Sequence, residues 1–113
     1  MKYIVAIIQP DRLNEVMDEL ENKEIHIITV TSVMGRGQQK GQAQVYRGHK
    51  EAGSLLRKVK LEIAVNEEFV EQTIQAITQG ARSGNIGDGK IFVLDLQDCI
   101  RIRTGENGPE AVG

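Results

Sequence analysis

Two stretches of this chain repeat one another. Ile4, Ala6 and Ile8 in KYIVAIIQ (2–9) align, at an offset of 57, with Leu61, Ile63 and Val65 in KVKLEIAV (58–65). The same offset aligns Leu13, Met17 and Leu20 with Val70, Ile74 and Ile77. Alternation with a period of two gives a strand one apolar face. Apolar residues at i, i+3, i+4 and i+7, as in Leu13, Val16, Met17 and Leu20, give a helix one apolar stripe. The chain is therefore built on two strand–helix units, and few folds accommodate that.

The intervening segments supply the remaining strands. HIITVTSVM (26–34) is rich in β-branched residues, and KIFVLDL (90–96) is a short apolar run. The first helix is expected from about Pro10, a residue tolerated at helix starts. Asn66 is placed to cap the second, with Glu67 and Glu68 in its first turn and Gly80 near its end. The order is βαββαβ, so the expected fold is an α+β, ferredoxin-like sandwich spanning 1–113 as one domain. An antiparallel four-stranded sheet carries two helices on one face. The other face is left uncovered, and an uncovered face calls for a partner, most simply further copies of the chain. IRIRTGENGPEAVG (100–113) reads as a polar, mobile tail.

Composition narrows the functional classes. No run reaches transmembrane length, and YIVAII is too short for a signal peptide and ends at Gln9-Pro10. The single Cys99 cannot form an internal disulfide, which fits a reducing cytoplasm. The net charge of −2 hides an asymmetry: residues 36–58 hold Arg36, Lys40, Arg47, Lys50, Arg57 and Lys58 against Glu51 alone. A basic segment on an acidic body suits an anionic ligand or partner, though a solvated loop has the same charge pattern.

Much of that segment, MGRGQQKGQAQVYRGHKEAG (34–53), carries no hydrophobic period. A stretch of this length without its own pattern is uncommon in a compact domain unless it is functional or disordered. GRGQQKG (35–41) directly follows a strand, yet it lacks the spacing of a dinucleotide-binding loop and no helix pattern follows. Its glycines would still let backbone approach a ligand.

GNIGDGKI (84–91) contains G-x-x-x-x-G-K, but it is not a P-loop. Ile91 stands where a hydroxyl residue would hold Mg²⁺, and a helix precedes the segment where a strand should. Gly84, Gly87 and Gly89 can nevertheless curl the backbone into an anion-binding nest beside Lys90. A tight helix-to-strand turn would use the same glycines. In IRIRTG, Arg101 and Arg103 would face one way in an extended chain, which suits phosphate oxygens and equally suits a charge-protected edge strand. Together the two segments point to a polyphosphate ligand.

Catalytic and nucleic-acid readings find little support. His26 and His49 have no zinc-site company, no serine lies in a nucleophile motif, and Cys99 reads as a small core residue. Tyr46 alone makes a poor stacking platform for bases.

The stretches GRGQQKG (35–41), YRG (46–48), KVKLEI (58–63), ARSGNIGDGKIFV (81–93) and IRIRTGE (100–106) resemble the P-II nitrogen regulatory signal-transduction proteins, over essentially the whole chain. The resemblance implies a cytoplasmic, non-enzymatic homotrimer that binds ATP or ADP in clefts between subunits. Its glycine loop (about 82–90), with Gly87, Asp88, Gly89 and Lys90, would wrap the phosphates. Arg101 and Arg103, in a C-terminal loop (about 98–113), would reach the nucleotide from the neighbouring subunit. Ile7, Thr29, Glu62 and Ala64 match positions around the adenine, and Gly35, Arg36, Gly37 and Gln38 lie at the phosphate side. Mg²⁺ with ATP would build a 2-oxoglutarate site involving Gln39, Lys40, Gly41 and Lys58, with Gln39 on the metal. Residues 37–55 would be the effector arm, the T-loop. It would present Tyr46, Arg47, Gly48, His49, Lys50 and Glu51 to an ammonium transporter or a nitrogen- or carbon-metabolism enzyme. Membrane contact would then be indirect, and nucleic acid is not an expected partner.

The chain departs from the family pattern at the arm. Glu51 stands where many bacterial members carry the nucleotidylated tyrosine, and His49 where cyanobacterial members carry a phosphorylated serine. No covalent modification of either kind is expected, which leaves direct ligand sensing. Arg36 and Gln38 also exchange the usual aromatic and arginine, and Arg36 keeps the strand-face parity of the missing arginine. The alternative is a divergent adapter that binds only adenylates or another small anion and serves a different transport system.

Overall fold

A computed structural model describes residues 1–37 and 55–113, and the backbone of 45–46 and 49–50. The order of elements is β1 (Lys2–Ile8), α1 (Leu13–Asn22), β2 (Thr29–Gly35), β3 (Val45–Tyr46), β4 (His49–Lys50), β5 (Leu56–Val65), α2 (Val70–Ala81), β6 (Gly89–Asp95) and α3 (Pro109–Val112). The main sheet has the order β2-β5-β1-β6 with every neighbouring pair antiparallel. β1 and β2 are thus parallel, with β5 inserted between them. This is the split βαβ arrangement expected from the repeat, and it is ferredoxin-like.

Register sorts the side chains as the alternation requires. Ile4 lies opposite Ile63, Ala6 opposite Leu61 and Ile8 opposite Val59. All six are buried, with Val16, Leu20, Ala76 and Ile77 of the helices closing the same core. Burying each of the larger aliphatic side chains contributes about 2 kcal/mol before the entropy of ordering is counted. The opposite face carries Tyr3, Val5 and Ile7, flanked by Glu62, Lys60 and the exposed Phe92 and Leu94. No helix of the described residues covers that face.

Several boundaries differ from the sequence expectation. β2 starts at Thr29, three residues later than expected, and β5 starts two residues earlier, at Leu56. Pro10–Arg12 form a 3-10 turn before α1. α1 ends where Ile25 N–H donates to Leu20 C=O at 3.0 Å and Glu24 takes positive φ, 61°. Ile25 then packs with Leu20 in the core, the usual companion contact of this helix stop. Met17, expected on the buried stripe, is 36% exposed.

Asn66 precedes the 3-10 turn Glu67–Phe69, which leads into α2, but its side chain makes no capping hydrogen bond. Instead its Nδ2 donates to Pro109 C=O at 3.1 Å, tying the C-terminal segment to the domain. That segment is not a free tail. Ile100 bridges Asn107, Arg101 N–H donates to Glu106 C=O at 2.8 Å, and α3 follows.

Gly80 lies one residue before the end of α2, as expected, and is buried at the crossing with α1. A Cβ at Gly80 would sit 2.5 Å from Val16 Cα and 2.7 Å from Val16 N, both rigid backbone atoms. Alanine favours helix over glycine by about 1 kcal/mol, but here it must separate two packed helices. Gly80→Ala is expected to destabilise the fold by about 2 kcal/mol net. Urea unfolding at fixed protein concentration would measure it, and a stabilised variant would show that the helices can move apart at little cost.

Candidate functional site

β6 begins at Gly89 because the chain there must pass unusually close to β1. Gly89 has φ 115°, and a Cβ on it would lie 1.9 Å from Ile7 C=O. Only glycine fits both constraints. The pairing sets Gly89 opposite Ile8 and Lys90 opposite Ile7, which places Lys90 on the open face of the sheet. Gly84 and Gly87 also take positive φ, so the segment between α2 and β6 curls tightly.

This glycine loop is held from both ends. The Asp88 carboxylate accepts N–H bonds from Ser83 at 2.7 Å and Gly84 at 2.9 Å, and also accepts from the Ser83 hydroxyl. These donors, the Ser83 hydroxyl first, hold the Asp88 pKa below the usual aspartate range. Gln9 Nε2 donates to Gly87 C=O at 2.6 Å. Arg12 Nε donates to Gly80 C=O at 2.9 Å, where a cation also complements the end of α2.

The loop forms one wall of a cleft of about 560 Å³, a volume typical of small-molecule sites. Gly35, Arg36 and Gly37 at the end of β2 form the other wall, and Lys58 and Lys90 border the space. Ile7, Val33 and Phe92 add apolar surface. Lys58 is only 8% exposed, and burial pushes its ammonium pKa down. An anion seated in the cleft would offset that desolvation cost.

The two glycine segments singled out from the sequence are therefore brought together, 50 residues apart in the chain, with Ile7, Arg36, Lys58 and Lys90 between them. Asp88 belongs to the loop, but its carboxylate is turned back onto Ser83 and Gly84 and is not part of the cleft lining. Thr29 and Glu62 are cross-strand neighbours on the open face, outside that lining. Glu62 accepts from the Tyr3 hydroxyl and lies 3.6 Å from Lys60. The Tyr3 bond is the main reason that the Glu62 pKa is lowered. Ala64 lines a separate recess with Asn66 and Val112.

Arg101 and Arg103 are not two teeth of an extended strand. Arg101 pairs with Glu106 at 2.6 Å and donates to the carbonyls of Gly113 at 2.6 Å and Glu110 at 3.3 Å. Arg103 is exposed in the turn that follows. Gly105 and Gly108, both at positive φ, were the available signal for this turn. Gln38, Gln39, Lys40, Gly41, Arg47, Gly48 and Glu51 lie outside the described residues. Of Tyr46, His49 and Lys50 only the backbone is described, as the short antiparallel pair β3–β4. Gln9, Val33, Ile86 and Phe92 were not anticipated at the site; only the alternation of KIFV pointed to Phe92 on the same face as Lys90.

Comparison with known proteins identifies the family and agrees with the fold. The family model described as nitrogen regulatory protein P-II matches residues 1–106. The chain belongs to the P-II family. It is 53% identical over 114 residues to nitrogen regulatory protein GlnK1 of Methanosarcina mazei, covering 99% of this chain and 97% of that protein. It is 48% identical to nitrogen regulatory protein P-II of Bradyrhizobium diazoefficiens, covering 99% and 100% of the two chains. Among solved structures it is similar to Arabidopsis thaliana PII bound to citrate, with a TM-score of 0.79 at 39% identity, covering 98% of this chain and 88% of that one. Members of the P-II family are regulatory proteins, and the ferredoxin-like architecture above is theirs.

The Asp88 bonds give the loop a pH dependence. Because the folded-state pKa is depressed, their stabilisation is complete at neutral pH and is lost as pH falls through that depressed value. At neutral pH, Asp88→Ala should speed solvent exchange of the Ser83 and Gly84 N–H groups by about tenfold, while the core amides stay protected. Exchange measured by NMR would check this. Unchanged Ser83 and Gly84 protection would show that the carboxylate does not hold the loop.

Proposed function

We propose that this P-II chain senses adenylates and 2-oxoglutarate by direct binding and reports the result to a protein partner through residues 37–55. The observation that carries the proposal is the cleft in which Gly35–Gly37 and Gly87–Lys90 face one another beside Lys58 and Arg36. Backbone N–H groups of curled glycine segments and flanking cations suit phosphate oxygens. Ile7, Val33 and Phe92 offer apolar surface to the remainder of such a ligand.

The cleft is open on the uncovered sheet face. Thr29 and Glu62 lie on that face away from the cleft of their own chain. This supports a homotrimer in which one chain completes the nucleotide site of the next. Arg101 would take part only after exchanging Glu106 and the tail carbonyls for ligand phosphate. Among the described residues no group of three or more His, Cys, Asp or Glu is positioned for a metal. A magnesium ion would be held mainly by ATP phosphates and water, with Gln39 as the protein ligand, as suits an ion that keeps much of its hydration.

In this reading 2-oxoglutarate sits between the metal and Lys58, whose charge offsets repulsion between the keto acid and the triphosphate. The Arabidopsis relative was solved with citrate, a polycarboxylate, which is in keeping with anion binding. Binding at the root of residues 37–55 would bias the shape of that arm, and an ammonium transporter or a metabolic enzyme would read it. With Glu51 and His49 in place of the modified residues, the signal would be the ligand alone. Among the described residues no helix is long and apolar enough to cross a membrane, so membrane contact would come through the partner.

Calorimetric titration tests the proposal. ATP and ADP are each expected to bind, and 2-oxoglutarate to bind only when Mg²⁺ and ATP are present. Lys90→Ala should weaken ADP binding by about 10- to 100-fold, the usual cost of losing a charge-assisted phosphate contact. Lys58→Met should abolish 2-oxoglutarate binding and weaken ADP binding less than Lys90→Ala does. A chain that binds neither adenylate contradicts the proposal. One that binds adenylates but never 2-oxoglutarate would be the narrower adenylate adapter.

A further inference from the structure

The glycine loop owes its shape to a side chain from a different part of the fold. Gln9 follows β1 and is separated from Gly87 by 78 residues, yet its Nε2 donates to Gly87 C=O at 2.6 Å. Gly87 borders the cleft, whereas Gln9 is not among the residues that line it. The Gly87 carbonyl is therefore aimed at a group outside the cleft. No peptide bond here is cis, so the Asp88 N–H of the same peptide points opposite to that carbonyl, away from Gln9.

Nothing local would fix this choice. Gly87 has φ 102°, and a glycine rotates its neighbouring peptides at little steric cost. The Asp88 carboxylate secures the far limb of the loop at Ser83 and Gly84, not the Gly87–Asp88 peptide. With that peptide turned over, the Gly87 oxygen would leave Gln9 for the opposite side of the loop, where it would repel an anion held at Gly87. An N–H in its place attracts one.

We propose that Gln9 is a positioning residue for anion binding: its amide holds the Gly87–Asp88 peptide with the carbonyl turned out of the cleft. This rests on the phosphate-binding reading of the cleft. It adds a residue that touches no ligand and acts through the backbone of the loop. Any hydrogen-bond donor of similar reach at position 9 would serve, and an apolar side chain of the same size would not.

ADP titration into the wild-type protein, Gln9→Met and Gln9→Lys tests the inference, together with backbone NMR of the ligand-free proteins. Methionine keeps the length of glutamine without the donor, and lysine keeps a donor. Gln9→Met is expected to bind ADP about tenfold more weakly, with an unchanged melting temperature. Its ligand-free Gly87 carbonyl and Asp88 amide signals should shift or broaden. Gln9→Lys should bind about as tightly as wild type, and should do so even if the methionine variant proves unstable. Equal ADP affinity in wild type and Gln9→Met overturns the inference while leaving the nucleotide reading intact, and so does a lysine variant as weak as the methionine one. A wild-type chain that binds no ADP removes the nucleotide reading. The ligand-free signals then decide the loop by themselves, since unmoved Gly87 and Asp88 resonances in Gln9→Met overturn its positioning role.

Discussion

The contact on which the site depends is the approach of Gly89 to the backbone of β1. A side chain there would lie 1.9 Å from the Ile7 carbonyl, so the two strands could not pair as they do. That pairing fixes Lys90 opposite Ile7 and delivers the glycine loop to the end of β1, within reach of Gln9. The same central strand pairs with β5, which carries Lys58, and β5 pairs with β2, which ends in Gly35. One strand ladder thus aligns both glycine walls and both lysines. The cleft follows from sheet register, and its loops supply the detail.

Charge is handled differently at the two ends of the sheet. Around the cleft, Lys58 is buried and Lys90 and Arg36 border open space, an arrangement that favours a bound anion. Several charges away from the cleft are paired within the chain. Glu62 is held by Tyr3 and Lys60, Lys2 by Asp95, and Arg101 by Glu106 and the last carbonyls of the chain. Glu62 and Arg101 are both candidate ligand contacts of this second kind, and for Arg101 any role at a phosphate requires it to change partners.

The architecture was largely legible because it is periodic. Alternation in KYIVAIIQ and KVKLEIAV and the matching helical stripes give strand, helix and facing without reference to anything distant. What was missed is non-local or aperiodic. Asn66 has the identity of a cap but spends its amide on Pro109, a partner 43 residues away. Gly80 sits near the helix end as expected, yet the need for glycine there is set by Val16 across the helix crossing. IRIRTG has the alternation of a strand, but Gly105 and Gly108 turn the chain back and outweigh it. At the site, the glycines and lysines were visible as residue types. That Asp88 would turn inward and that Gln9 would brace Gly87 depends on which atoms meet, and no spacing in the chain encodes it.

The central claim is that the space between Gly35–Gly37 and Gly87–Lys90 is an anion site for a nucleotide. A crystal structure of the protein with ADP addresses it most directly. The account predicts diphosphate oxygens within hydrogen-bonding distance of the Gly87–Lys90 backbone N–H groups, with the Lys90 ammonium beside them and the Gly87 carbonyl still on Gln9. ADP bound with its phosphates elsewhere, for example in the recess beside Asn66, would contradict it.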